Sequence, residues 1–165
     1  MTDGLRLERL ARVHAERLER FEQVNRTFFA SHIADRGDDF FDHFTDRLAA
    51  QIADDEAGAC RSYVLVDQTN EIVGRVNLFH LDEPESTELG FRVAEHVQGR
   101  GVATTGVTMA LDEAAAEGVR VVRARASVSN VASQRVLERC GFTETGPTDP
   151  PAGSSKSFVG FVRWL

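Results

Sequence analysis

The stretch HVQGRGVATTG, His96–Gly106, decides how the rest of the chain is read. It puts three glycines and one arginine into eleven residues, with no acidic residue, and an apolar helical run begins inside it. The first turn of a helix leaves backbone N–H groups without partners, and the helix dipole adds partial positive charge there. Gly99 and Gly101 carry no Cβ, so an anion can approach their backbone closely. Arg100 adds a cation beside them. Two readings stand on the local pattern alone: a phosphate-type anion site, or a tight turn ahead of a helix. The glycine spacing is not the GxGxxG of a dinucleotide site, and no GK[ST] follows as in a P-loop.

The flanking elements set the fold class. On the N-terminal side, LRLERL (Leu5–Leu10) alternates and reads as a short strand. Leu10, His14, Leu18, Phe21, Asn25 and Phe28 recur at helical spacing and predict one long helix. ADRGDD interrupts it, and Phe41, Phe44, Leu48 and Ile52 mark a second. SYVLVD and EIVGRVNLFHL are strands joined at QTN, and STELGFRV is a fourth strand. After the glycines, Ala103, Val107, Ala110, Leu111 and Ala114 share a helix face that Gly118 closes. VRVVRARASV is a strand and SNVASQRVLERCGF a capped helix ending at Gly141. GPTDPPAGSS reads as a loop, and SFVGFVRWL as a last strand, either internal or an edge that pairs two copies into a homodimer. The order β-α-α-β-β-β-α-β-α-β-β predicts one α/β domain over residues 1–165, with a mixed sheet of about seven strands.

The totals exclude several classes. A chain of 165 residues, 42% hydrophobic and 27% charged, suits one globular domain. A net charge of −7 leaves no basic face for nucleic acid. No run approaches the ~20 apolar residues of a membrane span. The charged start MTDGLRLERLARVHAERLER has no apolar signal core. Cys60 and Cys140 are too few for a disulfide framework, and no His/Cys/Asp cluster has metal-ligand spacing. A cytoplasmic protein with reduced thiols and no metal is expected.

VQGRGVAT resembles the Q/R-x-x-G-x-G/A loop of the GNAT superfamily of acyl-CoA N-acyltransferases, with Gln98, Gly101 and Ala103 in its defining positions. ASVSNVASQRVLERCGFTETG resembles the superfamily's second signature, N-x-x-S followed by a helix and G-F, through Asn130, Ser133, Gly141 and Phe142. ELGFRVAEHVQGRGVAT is similar to the RimJ/RimL-type branch, whose acceptors vary. The resemblance runs from about Val64 to the end and is looser over the N-terminal helices.

That resemblance implies a GNAT fold whose fourth and fifth strands splay apart, and acetyl-CoA as acetyl donor. It implies that the backbone of Gln98, Gly99, Arg100, Gly101, Val102, Ala103 and Thr104 holds the donor's pyrophosphate. The pantetheine arm is then expected along the backbone of Phe91, Arg92 and Val93, with a Phe91 or Val93 N–H as oxyanion donor. Asn130 is expected to contact the pantetheine or position the loop.

Acetyl transfer requires a deprotonated amine, a stabilised oxyanion and a departing thiolate. Glu88, on the fourth strand, is the leading base, working directly or through water; its other reading is an exposed strand glutamate paired with a neighbouring arginine or lysine. Asn77 and His80 are weaker alternatives, and His14 reads as a structural histidine. The resemblance to RimL-type enzymes implies Ser133 as donor to the departing sulfur, and its position in a first turn also fits helix capping by Asn130. The single tyrosine, Tyr63, lies on the second strand, so the tyrosine general acid of many relatives is not expected. The resemblance gives acceptor recognition to NRTFFASHIADRGDDFF, where Asn25, Phe29 and Arg36 lead, with Phe28, Asp38, Phe40 and Phe41. Most of these phenylalanines also read as core, and Arg36 and Asp38 read equally as residues of a solvated loop. The expected activity is direct transfer to a primary amine, a peptide N-terminus or a small molecule, in a ternary complex. A domain that binds acyl-CoA without turnover is the alternative.

Overall fold

The computed structural model describes residues 2–165. Seven strands form one sheet in the order β1-β2-β3-β4-β5-β7-β6. They are β1 (Arg6–Arg9), β2 (Arg61–Val66), β3 (Ile72–Phe79), β4 (Glu88–Val93), β5 (Val121–Ser127), β6 (Thr143–Thr148) and β7 (Phe158–Trp164). The helices are α1 (Ala15–Val24), α2 (Arg26–Ala30), α3 (Asp38–Asp42), α4 (Phe44–Glu56), α5 (Val102–Ala116) and α6 (Val131–Arg139). Every neighbouring pair is antiparallel except β4 and β5, which run parallel. The mixed α/β sheet expected from the element order is therefore the observed architecture.

The one long N-terminal helix expected from periodicity is instead two, α1 and α2. Asn25 divides them: its Nδ2 donates to the Phe21 carbonyl at 2.8 Å, while its Oδ1 accepts the Glu95 N–H at 2.9 Å. A side chain that competes for backbone groups in this way ends a helix turn. The second expected helix is likewise split, into α3 and α4, at His43. Gly146, Pro147 and Thr148, read as loop, lie in β6. β6 is an edge strand, where the missing proline N–H costs little. β7 is internal, so SFVGFVRWL is not an exposed edge.

The core is continuous from Leu18 and Phe21 of α1, through Val64, Leu65 and Val76 of the sheet, to Val107 and Ala110 of α5. Gly106 lets α5 approach β2, because a Cβ there would run into Leu65. This packing fixes the N-terminus of α5 against the end of β4.

Candidate active site

β4 and β5 pair only at Glu88 with Arg123 and Leu89 with Ala124. Beyond Leu89 they diverge, as the resemblance implied. Thr87 directs its carbonyl to the Arg123 N–H on β5, and Ala94 directs its N–H to the Val73 carbonyl on the β3 side. Strand alternation then turns the backbone polar groups of Phe91 and Val93 toward the gap. The Val93 carbonyl is taken by Gln98 Nε2 at 3.1 Å. Arg92 differs from expectation: its backbone faces its β3 partner Arg75, so it is turned away from the gap.

The gap opens into a cavity of about 510 Å³. Its lining includes Glu88, Phe91, Arg92, Val93, Gln98, Ala103, Asn130 and Ser133, and on the acceptor side Phe28, Phe29, Arg36, Phe40 and Asn77. Asn25 is not part of it, since both ends of its amide are committed to backbone. Asp38 is exposed and paired with Arg26 at 2.8 Å.

At one rim, Gly99 and Gly101 hold φ of 73° and 79°, a region closed to most side chains. Among the described residues, no neighbouring atom lies within 4 Å of a Cβ built on Gly99, so the backbone there is open. Gly101 is the N-cap of α5, has no side-chain cap, and no acid occupies the first turn. The first helical bond of α5 is Thr105 N–H to Gly101 C=O. The N–H groups of Val102, Ala103 and Thr104 are thus left for an anion, with exposed Arg100 beside them. The donor set fits a pyrophosphate and offers it nothing repulsive.

Glu88 and Ser133 line the same cavity from β4 and α6. Arg125 Nε donates to Glu88 Oε1 at 2.8 Å. Asn130 Oδ1 accepts the Ser133 N–H at 3.2 Å, so Asn130 caps α6 as its sequence position suggested. The cap uses only the serine's backbone, and its Oγ has no partner among the described residues. Asn77 Oδ1 is buried without a hydrogen bond. His14 is buried and bonded through Nε2 to Glu8 at 2.8 Å, and His80 is exposed outside the cavity. Tyr63 is buried elsewhere, and burial pushes its hydroxyl up to about 12. Neither Cys60 nor Cys140 reaches the cavity, and burial raises both thiols.

Residues 5–143 match the acetyltransferase (GNAT) domain family. The chain belongs to the GNAT acetyltransferase family. It is an acetyltransferase, and its donor is acetyl-CoA. No curated protein matches it. Solved structures of similar fold include the ribosomal-protein S5-alanine acetyltransferase of Vibrio fischeri, at TM-score 0.89 and 18% identity over 98% of this chain and 93% of that one. The RimL ribosomal L7/L12 α-N-protein acetyltransferase bound to coenzyme A matches at TM-score 0.87 and 20% identity, over 98% and 94%. Spermidine N-acetyltransferase of Vibrio cholerae, bound to CoA and spermine, matches at 0.79 and 22%, over 98% and 96%. Among the described residues, no helix is long and apolar enough to cross a membrane.

The sequence reading missed Glu22, Gln51, Arg75 and Arg125. The signal for two of them was present. Glu22 follows the core residue Leu18 by one helical turn, and Arg75 interrupts the apolar strand IVGRVNLF.

Proposed function

We propose that the β4–β5 gap is where this acetyltransferase passes an acetyl group directly to a primary amine, of a peptide N-terminus or a small molecule, with both substrates bound together. The observation that carries the proposal is the two-residue pairing of β4 and β5, which opens Phe91 and Val93 to the cavity between Glu88 and Ser133.

Acetyl-CoA supplies the reactive thioester. The open backbone from Gln98 to Thr104 holds its pyrophosphate, and the backbone groups of Phe91 with the Val93 N–H align its pantetheine as a strand would be aligned. Glu88 takes the amine proton, directly or through one water, and the freed lone pair forms the C–N bond. A Phe91 or Val93 N–H donates to the carbonyl oxygen as charge develops there. As the C–S bond breaks, Ser133 Oγ–H protonates the sulfur, and the serine recovers its proton from solvent. No cysteine lines the cavity, which favours direct transfer over an acyl-cysteine enzyme. The unpaired, buried cysteines fit a reducing cytoplasm. A homodimer would have to form elsewhere than through β7.

Release of CoA thiol from acetyl-CoA, followed with a panel of amines, tests the proposal. Amine-dependent release is expected. Tight acetyl-CoA binding with no release on any amine would replace it with a non-catalytic acyl-CoA domain.

A further inference from the structure

The acceptor wall of the cavity carries an excess of positive charge that the chain's composition does not forecast. Glu22 on α1 is 1% exposed. Its carboxylate accepts from Arg36 Nε and Nη2 at 3.1 and 3.2 Å, from Arg75 Nη1 at 2.9 Å, and from Arg92 Nη1 at 3.2 Å. Three guanidiniums therefore share one carboxylate, and all three line the cavity. Among the described residues, the only other side-chain acceptor they reach is neutral: Arg75 Nη2 donates to Gln51 at 2.9 Å. Glu88 is paired with Arg125, while Asp35 and Asp38 share the single guanidinium of Arg26.

Three guanidiniums on one carboxylate leave two positive charges in excess at the cluster itself, and one once Arg26 and its two aspartates are included, in a protein of net charge −7. Arg75 is 4% exposed, and its Nε is buried with no hydrogen-bond partner. Arg36 lies over the Phe40 ring at 4.7 Å and Arg92 over the Phe29 ring at 4.6 Å. These ring faces fix the guanidinium planes and leave donor edges free. Unpaired charge held away from water is costly unless something of opposite sign arrives. The cluster stands on α1, β3, β4 and the segment between α2 and α3, and none of its residues belongs to the Gln98–Thr104 loop.

The register gives the distance. Arg75–Arg92, Asn77–Gly90 and Phe79–Glu88 follow one another on one face of β3 and β4. Gly90 therefore stands roughly 7 Å along the strand from both Arg92 and Glu88, at ~3.3 Å per residue. Resting on the transfer site proposed above, we infer that the acceptor is an anionic amine: a molecule whose carboxylate or phosphate docks on Arg36, Arg75 and Arg92 while its amine reaches the carbonyl near Gly90 and Phe91. A polyamine is disfavoured by the same charges.

The test compares acetylation of matched amines: alanyl-glutamate against alanyl-glutamine, both as carboxyl-terminal amides, phosphoethanolamine against ethanolamine, and spermidine. At least tenfold higher kcat/KM is expected for the anionic member of one pair, and which pair responds separates carboxylate from phosphate. Arg36→Gln, in the loop between α2 and α3, is expected to lower that ratio severalfold while acetyl-CoA binding measured by calorimetry persists. Equal or better use of the neutral amines or spermidine would overturn the inference and leave the acetyltransferase site standing. Should no amine in the panel turn over, inorganic phosphate and succinate titrated into the acetyl-CoA-saturated protein read the cluster directly. Binding of either anion to the wild type that Arg36→Gln weakens supports it, and no binding in the millimolar range overturns it.

Discussion

Arg75 and Arg92 stand opposite each other on β3 and β4, two guanidiniums bound to the same Glu22 carboxylate. Burial alone would raise the Glu22 carboxyl, but Arg36, Arg92 and Arg75 outweigh it and hold the group below its ordinary value. Burial and the neighbouring Arg36 pull Arg92 down to about 10, which leaves it protonated at neutral pH. Removing Glu22's charge strands three cations. Glu22→Gln is expected to destabilise the fold by about 3–5 kcal/mol, the cost of breaking a buried ion pair from one side. Urea unfolding at pH 7 measures it; a change under 1 kcal/mol would show the cluster to be solvated.

The sign of the pH dependence follows from the same depression. A carboxyl whose folded value lies below its unfolded one stabilises the fold fully above the unfolded value, here 4.5, and loses that stabilisation as pH falls through the folded value. The wild type should therefore lose more stability on acidification below pH 4.5 than Glu22→Gln does. Parallel urea midpoints at stepped pH check this, and identical slopes would contradict it.

Ser133 separates capping from chemistry because Asn130 uses only its N–H. Ser133→Ala keeps that bond, so stability should change by less than about 0.5 kcal/mol. Turnover should fall by ~10- to 100-fold if the hydroxyl protonates the leaving sulfur. Asn130→Ala removes the cap instead and should cost about 1 kcal/mol. Thermal melts beside steady-state rates distinguish the two.

Glu88 faces the cavity with one oxygen held by Arg125 at 2.8 Å, leaving the other for an amine or a water. Glu88→Gln preserves the shape and removes the base. A loss of ~100-fold or more in kcat is expected, with acetyl-CoA affinity retained. Unchanged turnover would remove Glu88 from the mechanism.

Two glycines of one segment should fail differently. Gly101 holds φ 79°, and a Cβ there would meet only Thr2 at an ordinary 3.9 Å, so Gly101→Ala strains the backbone, by about 1–2 kcal/mol, and disturbs the loop that holds the donor. Gly106 has ordinary backbone but is pressed on Leu65, so Gly106→Ala overpacks the core by about 1–3 kcal/mol. Acetyl-CoA titration should find weakened binding in the first and near-normal binding in the folded fraction of the second.

The readable parts of the site were those set by local chemistry. The glycine loop and the Asn130 cap depend on neighbours in sequence, so HVQGRGVATTG and SNVAS announce them. The splay came from the resemblance, and no strand pattern forecast it. The arginine cluster was hidden because its partners lie far apart in sequence, Glu22 and Arg75 among them. Apolar periodicity recorded Leu18 and Phe21 but had no place for a charge beside them. Asn25 was assigned to the acceptor side, yet its amide spans two backbone segments, a tertiary contact that periodicity does not carry.

Calorimetric titration with acetyl-CoA, free CoA and NADH tests the central claim most directly. Micromolar binding of both CoA species, with NADH silent, is the predicted result. Failure of a folded sample to bind either CoA species would contradict the assignment of the Gln98–Thr104 loop and the transfer chemistry built on it.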